Sequence, residues 1–460
     1  MEKVEKKSQR RIINIPISAS FKKYLSNIGW LLFSKFFNLG VAFFVGVYVA
    51  RYLGPENYGI ISFSLSIIAF LAIFTGLGLK SIIARELVQD EGNKDKILGT
   101  AFFLELSASI LSLLLLFSFS DFLDLDDKAL VILAILSTKL LLTPSELIGA
   151  FYHAQVKAKK TTSVTVSKTL ITALLKVFLV YTEQDLEWFA VVYVIESLVG
   201  TIGIVIVYLR NGYSPLNWKF NKLYAKALFS DSWPLILSGF VVVVYMKIDT
   251  VMIKYMIDDA AVGVYSVARK FTSIWFFAGG MIAQTLLPSV IKTRKRDYKL
   301  YEKRFQYLFD LMMLVGIAIA LPMTIVADFV IDGLYGIEFS EAASVLVIQV
   351  WSLVFIFMGN AAASWYLAEN LQKSNLTRTI LGALVNVGLN FILIPNYGIQ
   401  GAAFATLVSQ GVASCLSNYI GSRQRQIFWM QVKSLLFISI LKSKADDNIF
   451  YFIKSHFKKS

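Results

Sequence analysis

LSNIGWLLFSKFFNLGVAFFVGVYVA, residues 25–50, is the stretch that decides the fold. It contains a single charge, Lys35, in 26 residues. As a helix rising 1.5 Å per residue it is about 39 Å long, enough to cross a hydrocarbon core of roughly 30 Å with some tilt. A helix on the surface of a soluble domain would show one polar face along its length. This stretch is apolar nearly all round, so its natural surroundings are lipid and other apolar helices.

Stretches like it recur to the far end of the chain. Twelve are expected, at 25–50, 59–80, 97–119, 129–154, 162–182, 187–209, 230–256, 261–291, 305–327, 343–369, 375–395 and 400–422. The composition agrees: of 460 residues, 56% are hydrophobic and only 17% charged, against about 25% charged in soluble domains. The mean hydropathy is +0.63. A membrane β-barrel would show alternating segments of about ten residues instead. The expected fold is therefore all-α and polytopic, with twelve transmembrane helices in two six-helix parallel repeats around a central cavity.

Charge sorts the loops. Lys3, Lys6, Lys7, Arg10, Arg11, Lys22 and Lys23 precede the first span, and basic residues return at Lys94 and Lys96, at Lys157, Lys159 and Lys160, from Arg210 to Lys226, and from Lys292 to Arg304. The alternate loops are acidic, with Asp121, Asp124, Asp126 and Asp127, then Glu183, Asp185 and Glu187, Asp258 and Asp259, and Asp328 to Glu341. The positive-inside rule puts the basic side and both termini in the cytoplasm, which requires an even number of spans. The same pattern accounts for the net charge of +14 without nucleic acid, since no segment is large enough to fold as a basic soluble domain. The first span is too long for a signal-peptide core and is read as a membrane anchor.

The expected organisation is a basic cytoplasmic N-terminus (1–24), an N-lobe (25–209), a cytoplasmic linker (210–229), a C-lobe (230–422) and a basic tail (423–460). The tail segment 427–441 is short and contains Lys433, so it is read as an interfacial amphipathic piece rather than a span. A faint repeat supports the two lobes. Arg51-Tyr52 before Gly59 echoes Lys254-Tyr255 before Gly263, and Trp30 echoes Trp233. Parallel repeats in transporters place substrate between the halves.

Ionisable residues deep in a span cost about 2.5–3.5 kcal/mol each, so they mark partners or a pathway. Lys35, Lys139, Lys168, Lys176, Lys247, Arg269 and Lys270 are such positions, as are Glu105, Glu146, Glu196, Asp249 and Asp310. Counting from the acidic side, Lys247, Asp249 and Arg269 share a depth. Arg269, Lys247, Lys139, Lys176 and Lys35 are the candidate lining of a cationic cavity, fit for an anion such as a diphosphate. Internal ion pairs are the alternative, Lys176 with Glu196 and Lys247 with Asp249, while Lys35, Lys168 and Lys270 could snorkel to the interface. Asp249, Arg51 and Glu196 are candidate gate or coupling residues. Asn360, Asn386 and Asn390 are candidate sugar contacts, although helix packing is the commoner role of an intramembrane Asn.

Several motifs resemble the polysaccharide-exporter branch of the superfamily that includes the multidrug and toxic compound extrusion transporters, and in particular flippases of the Wzx type. They are RYLGPENYG at 51–59, SWPLILSG at 232–239, YMKIDTVMI at 245–253 and IPNYGIQGAA at 394–403. The resemblance implies translocation of undecaprenyl-diphosphate-linked oligosaccharide repeat units from the cytoplasmic to the outer leaflet of a bacterial inner membrane, by alternating access, for O-antigen or capsule. It implies a cationic lumen at Lys139, Lys176, Lys247 and Arg269, with Arg51 near an outer gate. A polysaccharide polymerase and a chain-length regulator are the implied protein partners, and membrane lipids the surroundings. No cofactor or metal is expected; proton, sodium or membrane potential could each drive transport.

Other readings differ in visible features. A lipid II flippase of the same superfamily usually has fourteen spans, and this chain has no room for two more. A drug extruder for cations would prefer an acidic cavity. A polysaccharide polymerase or ligase would carry a long outer loop, whereas these loops are short and acidic. A membrane scaffold would have no use for buried mid-depth charge. Only His153 and His456 are available for general acid–base chemistry, and no catalytic cluster forms around either. The chain is not expected to be an enzyme.

Overall fold

The computed structural model describes residues 19–294 and 296–441. The basic residues expected before Ala19, Lys295 and the Lys454–Lys459 end of the tail lie outside the described residues. All described elements are helical. They are α1 (Ala19–Gly76), α2 (Leu79–Gln89), α3 (Lys94–Ser118), α4 (Asp127–Ser137), α5 (Glu146–Ala154), α6 (Ala158–Tyr181), α7 (Leu186–Arg210), α8 (Lys222–Met256), α9 (Asp259–Ile274), α10 (Phe276–Arg294), α11 (Tyr298–Tyr335), α12 (Glu341–Gln349), α13 (Ser352–Ala368), α14 (Gln372–Ser414), α15 (Arg425–Leu435) and α16 (Ile438–Leu441). Helices satisfy every backbone group internally, which hydrocarbon demands.

Ten helical segments among the described residues are long and apolar enough to cross a membrane. Two are oversized. Ser26–Gln89 has 64 residues and Gln372–Tyr419 has 48, far beyond a bilayer's thickness if straight. Each is broken by a glycine in a conformation that other residues rarely adopt: Gly54 (φ 72°, ψ 173°) beside Pro55, and Gly398 (φ 58°, ψ −142°) after Pro395. Past Gly398, Gly401 lies against the backbone of Leu393, where a Cβ would collide, so the two arms of α14 fold back on each other. The expected twelve spans are thus represented by ten segments, the first and last each holding two expected ones.

Three buried clusters carry the packing. Ile60, Ile132 and Phe189 belong to one towards the acidic side of the N-lobe. Ile83, Leu98, Phe151 and Tyr208 belong to a second towards its basic side. The third fills the C-lobe and takes in Val47, Ala50 and Phe63 from α1, so α1 packs into the other half. At the acidic side the two halves meet through the repeat noted above. A Cβ on Gly59 would strike the Asp259 carbonyl, and one on Gly263 would strike the Pro55 carbonyl. Tyr255 donates to the Leu123 carbonyl at 2.8 Å on the same side.

At the basic side, the linker is bolted to the N-lobe. The Lys219 amide donates to the Asp95 carbonyl (3.1 Å), the Asn221 amide to Thr100 Oγ1 (3.0 Å), and Gly99 leaves room for the crossing backbone. α8 starts at Lys222, ahead of the apolar span expected from 230. The tail, read from sequence as interfacial, turns polar groups inward: Gln431 donates to the Ser414 carbonyl (2.7 Å) and Ser434 to Asp310 (2.5 Å), and both residues are fully buried.

Candidate functional site

Two half-open cavities of about 710 and 500 Å³, lined mainly by the N-lobe, share Thr165 and Lys168. Together they run from His153 near the basic side to Tyr58 beneath the Gly59–Gly263 closure. α6 lines them with one face, Thr165, Lys168, Thr169, Thr172 and Lys176, spaced at threes and fours as a helix requires. Lys139 comes from a 3₁₀ segment, Thr138–Ser145, that contains Pro144. Such a long 3₁₀ run is uncommon and marks local strain or function.

Lys270 enters from the other half. It belongs to α9, and its ammonium occupies the space beside Gly46 of α1 where any side chain would stand. Lys139, Lys168, Lys176 and Lys270 therefore converge on linked cavities. Lys176 lies 3.8 Å from Glu196 and 3.9 Å from the Tyr193 ring centre, and Lys139 is 5.6 Å from that same ring. Among the described residues the acids lining the two cavities are Glu196 and Glu146, the latter paired with Lys80, so the site holds an excess of positive charge. Lys168 and Lys270 line it rather than reaching for an interface.

Asp249 organises the C-lobe. Its carboxylate is fully buried and accepts hydrogen bonds from Asn390 Nδ2 (2.7 Å), Tyr265 OH (2.8 Å) and Thr406 Oγ1 (2.8 Å), with Arg269 Nη1 at 3.3 Å. Gln349 in turn donates to Tyr265 OH at 3.0 Å. Arg269 also donates to the Met246 carbonyl and borders a cavity of about 300 Å³ together with Asn360 and Arg378.

Arg378 escaped the sequence reading because it sits close to the start of its expected span. It donates to the Gly359 carbonyl (2.9 Å) and Asn375 Oδ1 (2.8 Å), and lies 5.3 Å from the Tyr366 ring centre. The spacing Asn375-Arg378-Thr379 on one helical face was the available signal.

The remaining candidates are spread out. Lys247 lies near Arg269 but lines none of these three cavities. Lys35 is exposed. Arg51 is exposed at the acidic side, beside Gly336. Asn386 and Asn390 are fully buried, and Asn390 is engaged by Asp249, while Asn360 alone of the three borders a cavity. Among the described residues no three His, Cys, Asp or Glu side chains cluster as metal ligands. Asp249 is the single carboxylate of its group, and a guanidinium already balances it.

The sequence matches the family described as "Polysaccharide biosynthesis protein" over residues 24–294, and the MatE family over residues 234–392. It is 24% identical over 443 residues to the probable low-salt glycan biosynthesis flippase Agl15 of Haloferax volcanii, covering 92% of this chain and 88% of the relative. It is 21% identical over 395 residues to the capsular polysaccharide biosynthesis protein CapF of Staphylococcus aureus, covering 85% and 97%. The fold is shared with an inward-facing multidrug resistance MATE family transporter (TM-score 0.71, 16% identity, 88% and 96% covered). It is also shared with the lipid II flippase MurJ in an inward closed conformation (TM-score 0.68, 16% identity, 93% and 95% covered).

Proposed function

The chain belongs to the polysaccharide biosynthesis protein family, and we propose that it is a flippase for a lipid-linked oligosaccharide. It is a multi-pass membrane transporter, not an enzyme. The observation that carries the reading is the convergence of Lys139, Lys168, Lys176 and Lys270 on two cavities whose acids are Glu196 and Glu146, the latter already paired with Lys80. A cation placed within a membrane span costs about 2.5–3.5 kcal/mol, so such an excess calls for an anionic occupant. A diphosphate linking a polyprenol, undecaprenol in bacteria, to a saccharide supplies that charge. The polar lining of Thr165, Thr169, Thr172 and Ser197 offers hydroxyl partners to sugar.

In this account the chain crosses the membrane twelve times in two six-helix halves, with both termini and the basic loops in the cytoplasm. The cavity reaches the basic side while the Gly59–Gly263 contact closes the acidic side, which suits a carrier loading from the cytoplasmic leaflet. Rocking the halves would then open the acidic side and deliver the saccharide outward, where a polymerase for O-antigen or capsule could use it. The relatives named above for glycan and capsule synthesis favour that substrate class.

Extrusion of organic cations is the second reading, on the MatE match and the shared fold. The sign of the N-lobe charge opposes it. The test is reconstitution with a fluorescent lipid-diphosphate oligosaccharide on one side and, separately, a cationic dye. Movement of the first and not the second is expected; movement of the dye alone would replace the flippase with an extruder.

A further inference from the structure

Glu105 lies outside the cavities and has no role in the account so far. It sits on α3 one turn past Ala101, fully buried, and among the described residues neither carboxylate oxygen has a hydrogen-bond partner. An ionised carboxylate in that position would have no hydrogen-bond donor in place of the water it lost, which is costly.

Its surroundings are specific. Among the described residues, the charges that act on it are those of Lys80 of α2 and Glu146 of α5, and these two are paired with each other at the cavity wall. The arm of α1 beside α3, residues 59–76, has no titratable group. Between Lys226 and Lys247, α8 has one charge, Asp231, held by Arg85 at 2.6 Å. Lys139 of the adjoining 3₁₀ segment turns to Tyr193. Lys80 is thus the cation whose charge acts on both carboxylates, water-accessible Glu146, with which it is paired, and buried Glu105.

We propose that Glu105 is a proton-binding site of the transport cycle, with Lys80 exchanging between Glu146 and Glu105 as that proton arrives and leaves. The proposal rests on the flippase reading and supplies its energy source. In the described state Glu105 carries the proton as a neutral carboxyl group, and Lys80 stays with Glu146. Loss of the proton to water in the cavity leaves a carboxylate on Glu105, which draws Lys80 inward and releases Glu146. Lys80 stands two residues after Gly78 (φ 64°), whose α-carbon faces Leu235 of α8, with a built Cβ 2.9 Å from the Leu235 Cβ. Any shift of Lys80 therefore bears on the α2–α8 contact between the two halves.

The experiment uses the full chain in proteoliposomes with a fluorescent lipid-diphosphate oligosaccharide, the membrane potential clamped and a pH difference imposed. With one proton per substrate, each unit of pH difference shifts the leaflet ratio of the lipid about tenfold, since a pH unit is worth 1.36 kcal/mol. Wild type should show that shift, and Glu105→Gln should equilibrate the lipid to a ratio that ignores the gradient. Lys80→Gln leaves Glu105 in place but removes the cation its ionised form needs, so it too should lose the shift. That second variant decides the matter if Glu105→Gln does not fold. A wild type that moves no lipid would overturn the flippase reading itself. A wild type that flips without regard to pH, or either variant keeping the wild-type shift, would overturn the proton site and leave the flippase standing.

Discussion

Arg269 faces Asp249 across the break between α8 and α9, with Nη1 3.3 Å from Oδ2, and both side chains are largely withdrawn from solvent. Three neutral donors, from Tyr265, Asn390 and Thr406, complete the shell of the carboxylate. Breaking a buried pair by removing one partner costs about 3–5 kcal/mol, because the survivor is left uncompensated. Asp249→Asn and Arg269→Gln should each lower the thermal midpoint of the purified protein. The double variant should lose less than the sum of the two singles. Strict additivity in that double-mutant cycle would show that the two side chains are not coupled.

Lys176 is shared between Glu196 and the Tyr193 ring. Freeing it by Glu196→Gln raises the positive charge of the cavity, so the anionic lipid should bind more tightly, while Lys176→Gln should weaken it. Hydrogen bonds to charged groups contribute about 1.5–3 kcal/mol, or roughly ten- to a hundredfold in affinity. Equilibrium binding of a water-soluble polyprenyl-diphosphate analogue measures both. Opposite signs for the two variants are the expected outcome.

Lys270 reaches its cavity only because Gly46 has no side chain. Gly46→Val should push the ammonium out and reproduce the affinity loss of Lys270→Gln with every charge retained. Combining the two substitutions should add little, since contacting residues are not additive. The same binding assay checks this.

The Gly59–Gly263 contact should be needed to close the acidic side. Gly59→Val would place a branched side chain against the Asp259 backbone, and overpacking of this kind costs about 1–3 kcal/mol. Closure weakened by that amount should shift the protein towards the form open on the acidic side. A cysteine at Thr165, which lines both N-lobe cavities, reports the change. Labelling by an impermeant thiol reagent from the basic side should fall in the Gly59→Val background, with the native Cys415 replaced.

Much of this architecture was legible in one dimension because lipid tolerates so little. Apolar runs led to the ten helical segments long enough to cross a membrane among the described residues, two of them broken at a glycine. The shared depth of Asp249 and Arg269 was readable by counting residues, as was Lys176 with Glu196. Lys168 and Lys270 were harder. Depth alone does not say whether a lysine snorkels or crosses into a cavity, and the path of Lys270 depends on a glycine more than two hundred residues away. Glu105 was visible as a mid-span acid, yet its isolation is a property of packing. Asn386 and Asn390 were candidate sugar contacts, with helix packing the commoner role; both are fully buried, and Asn390 donates to Asp249. The tail looked amphipathic, but an amphipathic pattern does not distinguish a lipid surface from a polar groove on the same protein.

Carriage of an anionic lipid-linked saccharide across the membrane by the N-lobe lysines is the function proposed here. Its most direct test is leaflet exchange in proteoliposomes, comparing a fluorescent lipid-diphosphate oligosaccharide with a neutral lipid bearing the same saccharide. Wild type should move the diphosphate lipid alone, and a folded variant with Lys139, Lys176 and Lys270 all changed to Gln should move neither. Equal transport of the neutral lipid, or a wild-type rate in that triple variant, would contradict it.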